Sequence, residues 1–189
     1  MTATQLHTWK KLLSFWLLIA FFAGVENFVF YGIVYLIMNF TVFGLMQIVE
    51  NKFGIVEMAG YKGLGKKIPM IGVLFVLVLI ALTGLPPTAG FTAKLLIFSG
   101  IWEMYMSTSE VMYLVLFLFG LLNAVVSLFY YLRIPYFMFI KNEEATINKE
   151  NKTPQLLNFF VLLLVFLLLL GFFIPSGLMD MIYSINFVQ

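Results

Sequence analysis

Lys94 is set in an apolar stretch, directly after a backbone that cannot continue as a helix, in the run Leu82-Thr83-Gly84-Leu85-Pro86-Pro87-Thr88-Ala89-Gly90-Phe91-Thr92-Ala93-Lys94. Pro86 and Pro87 remove two backbone donors and disfavour the helical region for the residue before them, so the helix must stop near Gly84. Thr88 is suited to cap a second half-helix running to about Trp102. Inside a bilayer such a break survives only where protein or trapped water satisfies the freed backbone groups, and ion pathways through transporters are often built this way. Lys94 falls within two turns of the second half-helix's start and, at ~1.5 Å per residue, roughly 12 Å short of its outer end. Desolvation and the positive end of the helix dipole both make its charge costly there, and an amine that is costly to charge can exchange a proton, the step a relay needs. The competing reading is a snorkelling lysine, its methylenes along the helix and its amine among the outer headgroups.

Polar side chains recur at helical spacing elsewhere. Asn123, Ser127, Tyr130 and Tyr131 stand at i, i+4, i+7 and i+8, and Tyr31, Tyr35 and Asn39 form a similar stripe. Each stripe either holds water beside Lys94 or serves as hydrogen-bonded glue between packed helices, and the spacing does not decide between them. Other chemistries lack material. There is no Cys and a single histidine, His7 near the N-terminus, so thiolate, iron-sulfur and histidine-based metal or haem sites are not expected. Gly60-Tyr61-Lys62-Gly63-Leu64-Gly65 is glycine-rich and basic, but it follows no strand pattern and matches no nucleotide fingerprint, so it reads as a flexible cytoplasmic loop rather than a phosphate cradle. Lys141 to Pro154 reads as a solvated linker. Nothing in the chain is suited to hold NADH, flavin or nucleic acid.

The elements that position Lys94 must lie in lipid. Of the 189 residues, 62% are hydrophobic and 11% charged, too few polar groups to assemble a water-facing surface. A helix needs roughly 20 apolar residues to cross the ~30 Å hydrocarbon layer. Five segments come near that, about 9–25, 28–48, 68–101, 111–140 and 155–174, in one transmembrane helical domain covering 1–189. The first is the shortest, since residues 12–25 alone separate Lys11 from Glu26, and the third is interrupted by Pro86 and Pro87. No small-residue cleavage site follows the first segment, which argues against a signal peptide. Alternating the loops between two sides places Lys10, Lys11, Lys52, Lys62, Lys66, Lys67, Arg133, Lys141, Lys149 and Lys152 on one side. The other receives Glu26, Glu103, Glu110 and Asp180 and no basic residue. The positive-inside rule then puts the basic side in the cytoplasm and the C-terminus outside. Lys94 alone is left over, and an outward-snorkelling lysine would break this pattern.

These residues carry a resemblance. Gly84 to Lys94 closely resembles the GIPPTAGFxGK signature of subunit N of proton-translocating NADH:quinone oxidoreductase, respiratory complex I. Tyr35-Leu36-Ile37-Met38-Asn39-Phe40 resembles the family's YxLMNxGAF helix, and Tyr61-Lys62-Gly63-Leu64-Gly65-Lys66-Lys67-Ile68-Pro69 its YRGLGRRNP loop. Leu122-Asn123-Ala124 through Ser127 to Tyr130-Tyr131-Leu132-Arg133 resembles its LNSAISAYYYLR helix, and Trp9-Lys10-Lys11-Leu12-Leu13 its NLKRLLAYSS stretch. The resemblance covers nearly the whole chain but only the last five of that subunit's fourteen helices. In the family the tenth helix enters from the cytoplasm and the fourteenth ends outside, in agreement with the charge count. The departures are Ala93 for the usual glycine, Thr41-Val42 for Gly-Ala, and a shortened first helix without the SSIAHAGY stretch.

The resemblance implies an all-α integral membrane protein, the C-terminal part of an antiporter-like fold of fourteen helices. It implies that Lys94 is the proton-carrying lysine of the family's twelfth helix, with Thr88, Asn123, Ser127, Tyr130 and Tyr131 organising water along the path. NADH, FMN, iron-sulfur clusters and quinone are expected in partner subunits and no cofactor in this chain. The expected partners are other membrane subunits of complex I, including antiporter-like subunits and the missing N-terminal helices, together with the lipid bilayer. The expected location is the bacterial inner membrane. Two other readings stay open, a cation/proton antiporter subunit of the same superfamily and a non-catalytic membrane assembly protein. The missing nine helices point to a split gene or a piece of a longer protein.

Overall fold

A computed structural model describes residues 24–140 and 154–185 of the chain. Among these the elements are α1 (Val25–Phe53), a 3-10 turn (Met58–Tyr61), α2 (Leu64–Lys67), α3 (Pro69–Thr83), α4 (Ala89–Thr108), α5 (Val111–Phe139), α6 (Gln155–Phe173) and α7 (Pro175–Ser184). The fold is all-α. α1, α5 and α6 are each long and apolar enough to cross a bilayer. α3 has 15 residues, a rise of about 22 Å at ~1.5 Å per residue, which falls short of the hydrocarbon thickness, and α4 continues it after the break. The spans expected at 28–48, 111–140 and 155–174 thus appear as α1, α5 and α6, and the one expected at 68–101 as α3 and α4 together. The span at 9–25 and the linker from Lys141 lie outside the described residues, apart from Gly24, Val25 and Pro154.

α1 is the central helix. It packs against α3, α4, α6 and α7, while α5 packs on α3 and α4. The buried core takes its large side chains from α1 and the broken pair, among them Phe30, Met38, Leu45, Phe75, Ile97 and Ile101. The outer surface is no less apolar: on α5, Leu122 is 62% and Phe129 76% exposed. A continuous apolar exterior of this kind is tolerated in lipid and aggregates in water. α7 had no counterpart in a reading by span length, because its 10 residues are too few to cross. Pro175, at the first helical position where its missing N–H is harmless, starts it. Ile182 then turns into the core while Met181 faces outward.

The glycine-rich segment is a packed latch, not a flexible loop. Gly63 N–H donates to the Phe137 carbonyl at 3.2 Å, tying the segment to the end of α5. Tyr61 is 5% exposed and meets the Phe75 ring edge-on at 5.7 Å. Burial, helped by the Glu50 carboxylate, pushes its phenol up to about 12, so it stays neutral. The Phe139 ring fills a notch over two glycines: a Cβ on Gly65 would come within 2.8 Å of that ring, and one on Gly72 within 2.6 Å of its Cζ and 2.9 Å of the Gly65 Cα. Glycines suggest flexibility in a sequence; here Gly65 of the segment, with Gly72 of α3, makes room for an aromatic ring. Gly72→Leu should therefore destabilise the protein by about 1–3 kcal/mol through overpacking, and Phe139→Ala in the same chain should recover part of the loss. Thermal melts of the solubilised full-length protein would check this, and equal melting of Gly72→Leu and the parent would contradict it.

Candidate functional site

The break between α3 and α4 is built as its residues require. Gly84 ends α3 at φ 78°, ψ 44°, a left-handed conformation that glycine adopts without penalty. Its N–H donates to the carbonyls of Ile80 and Ala81, and Leu85 N–H reaches back to Ile80. The carbonyls of Leu82 and Thr83 are left. In a continuing helix their donors would be the N–H groups four residues on, at positions 86 and 87. Both positions are proline and carry no N–H.

Lys94 supplies the missing donors. Its Nζ donates to the Leu82 carbonyl at 3.0 Å and to the Thr83 carbonyl at 2.6 Å. The residue is 7% exposed, so its amine does not snorkel to a headgroup region. From the second turn of α4 the side chain points back toward that helix's start, as helical side chains do, and crosses to the last turn of α3. Two dipoles therefore meet at the amine: the positive start of α4, which was expected, and the negative end of α3, which attracts a cation. The contact needs space on both sides. A Cβ on Gly84 would collide with Lys94 Cδ, and one on Gly90 with the Ala81 carbonyl oxygen. Thr88 stands at the start of α4, but its hydroxyl does not cap that helix; it donates to the Leu85 carbonyl at 2.8 Å, another acceptor within the break.

Lys94 faces a cleft of about 260 Å³ between the break and α5, with Thr83, Gly84, Phe91 and Phe98 on one side. The α5 wall is Leu121, Ala124, Val125 and Leu128. Asn123, Ser127, Tyr130 and Tyr131, the expected water-organising set, do not line it. The Ser127 hydroxyl donates to the Asn123 carbonyl of its own helix at 2.8 Å. Tyr130 is 62% exposed on the outside of the bundle. Asn123 Nδ2 is buried and finds no acceptor among the described residues. Tyr131 lines a separate cavity of about 80 Å³ together with Pro135 and Thr83, so Thr83 is common to both cavities. The second stripe also divides: the Tyr31 and Tyr35 rings stack at 5.8 Å, while Asn39 Nδ2 donates to the Tyr35 carbonyl at 2.7 Å. What the spacing missed was the pairing of Leu82 and Thr83 with Lys94. Its signal was present, in that each proline lies four residues after an acceptor.

This arrangement has relatives. Residues 13–120 match the family described as NADH:quinone oxidoreductase/Mrp antiporter, TM, a stretch that includes the whole break and Lys94. The chain belongs to this family. The chain is 35% identical over 144 residues to NADH-quinone oxidoreductase subunit N 2 of Chloroherpeton thalassium, across 76% of this chain and 27% of that protein. It is 37% identical over 118 residues to NADH-quinone oxidoreductase subunit N of Chlorobium chlorochromatii, across 62% of this chain and 22% of that protein. Its fold is similar to a chain of respiratory complex I from Thermus thermophilus with bound aureothin, at a TM-score of 0.66 and 25% identity over 87% of this chain and 36% of that one. The chain thus spans about a quarter of the length of these NADH-quinone oxidoreductase subunits.

Removing the amine should take the donor from both carbonyls, a loss of about 1–3 kcal/mol for each group left unsatisfied. Lys94→Met should accordingly lower the melting temperature of the full-length protein. Replacing Pro86 and Pro87 by Ala in the Lys94→Met background should recover part of the loss, because backbone donors return where the lysine left. Strictly additive losses in the combined variant would contradict the geometry.

Proposed function

We propose that this chain forms the C-terminal part of a proton-translocating membrane subunit of NADH:quinone oxidoreductase, with Lys94 as its proton-carrying group and quinone reduction carried out in other subunits. The observation that carries the reading is the pair of carbonyls on Lys94 Nζ. An ammonium has three N–H donors, and two suffice for the Leu82 and Thr83 carbonyls. The amine can lose its third proton, to water in the cleft, and still hold both acceptors. Proton exchange then leaves the break intact, which is what a relay residue inside a helix break requires.

The cleft of about 260 Å³ is roomy enough for several waters. Thr83 belongs to both the cleft and the cavity at Tyr131, which makes it the residue common to the surroundings of Lys94 and of Tyr131. Of the α5 residues, Tyr131 keeps a water-organising role through the cavity it shares with Thr83, while the buried Asn123 Nδ2, without an acceptor among the described residues, borders neither space. Ser127 and Tyr130 stand further from the path. Thr88 acts through the break, holding the Leu85 carbonyl, and Pro86 and Pro87 create the acceptors. The natural partners are the other membrane subunits of such a complex, including antiporter-like ones and the helices that precede this stretch in its longer relatives. NADH, FMN, iron-sulfur clusters and quinone belong to partner subunits. The membrane is the bacterial inner membrane, with the basic end carrying Lys52, Lys66 and Lys67 in the cytoplasm and the C-terminus on the opposite side.

The family's description also names Mrp antiporters, so a cation/proton antiporter subunit is the second reading; it would show sodium-dependent exchange without NADH oxidation. In the assembled complex, Lys94→Ala should abolish proton pumping, measured in vesicles at matched amounts of assembled enzyme. Unchanged pumping in that variant would remove the relay role.

A further inference from the structure

A second cavity, sharing no residue with the cleft at Lys94, lies at the basic end of the bundle. Its volume is about 340 Å³, within the range of small-ligand pockets. α1, α3 and α6 enclose it. α1 and α6 touch where Gly44 meets Val161, so closely that a Cβ on Gly44 would come within 2.5 Å of the Val161 side chain. Toward the basic end Leu45, Ile48, Ile71 and Val161 form its apolar walls.

Its polar groups are gathered at one level. Lys52, one turn beyond Ile48 on the same face, lines the cavity from the last turn of α1. Asn158 lines it from the first turn of α6. Both stand where their helices end, the depth of the headgroups for membrane-spanning helices. Lys66 and Lys67 are exposed beside it, just before the lining residue Ile68. Among the described residues, the carboxylates near this end, Glu50 and Glu57, are exposed and line no part of it. The site therefore joins an apolar slot to a cationic rim that, among the described residues, has no lining carboxylate.

We propose that this cavity binds an anionic phospholipid of the bilayer. One acyl chain enters the slot between α1, α3 and α6, and the phosphate is held at the rim by the Lys52 ammonium and the Asn158 amide. The proposal rests on the bundle spanning a membrane and not on the proton relay, so the two can fail separately.

The test uses the full-length protein in its complex, delipidated and titrated with dioleoyl phosphatidylglycerol or with phosphatidylcholine of the same chains, retained lipid being counted by native mass spectrometry. Phosphatidylglycerol should be retained preferentially. Lys52→Ala should weaken its retention about fivefold and Lys52→Glu roughly twentyfold, with phosphatidylcholine little changed. Ile48→Trp, which fills the slot, should displace both lipids, and proton pumping measured on the Lys52→Ala sample should persist. Equal retention of the two lipids by the parent protein would overturn the proposal, as would an undiminished preference in Lys52→Glu. So would a photo-crosslinker at Leu162 that labels another protein segment in place of lipid.

Discussion

Two carbonyl groups and one amine set the terms for the rest of this structure. Pro86 and Pro87 delete the donors that Leu82 and Thr83 would have had, and in hydrocarbon an acceptor without a donor is worth several kcal/mol of instability. Lys94 returns those donors from the next half-helix. The charge inside the membrane and the gap in the backbone, each unfavourable alone, satisfy one another. Gly84 and Gly90 follow from this, since a methyl group at either position would strike Lys94 or the Ala81 carbonyl.

The surrounding helices hold that contact in register. Asn27 Nδ2 on α1 donates to the Leu96 carbonyl on α4 at 3.3 Å, fixing the second half-helix close to Lys94. α5 covers the break with an apolar wall, so whatever water reaches the amine is confined to the cleft between them. At the basic end the glycine notch around Phe139 joins α2 and α3 to α5. The architecture around the break is thus one problem: an amine of the second half-helix braces the end of the first.

Much of this was legible in the residues. Hydropathy and length placed α1, α5 and α6, because a bilayer admits few alternatives for long apolar runs. The break was legible because two consecutive prolines close after a glycine remove adjacent donors, whereas the single Pro135 inside α5 leaves that helix continuous. The side-chain stripes were not. Asn123, Ser127, Tyr130 and Tyr131 share one side of a helical wheel, yet the face turned to Lys94 is Leu121, Ala124, Val125 and Leu128. Periodicity tells which residues share a face, not which neighbour the face meets. Thr88 is no side-chain cap because its hydroxyl is turned to the Leu85 carbonyl, to which it donates, and accepts from no N–H at the start of α4. The glycine-rich segment was misread as mobile because its partner, Phe139, is more than sixty positions away in sequence.

The most direct measurement is solid-state NMR of the full-length protein in a bilayer, with lysine labelled at 15Nζ and Leu82 and Thr83 labelled at the 13C carbonyl. The account predicts strong dipolar coupling from Lys94 to both carbonyls, consistent with nitrogen–oxygen distances of 3.0 and 2.6 Å, and none to lipid phosphorus. Coupling of that nitrogen to headgroup phosphorus, with no coupling to either carbonyl, would contradict it.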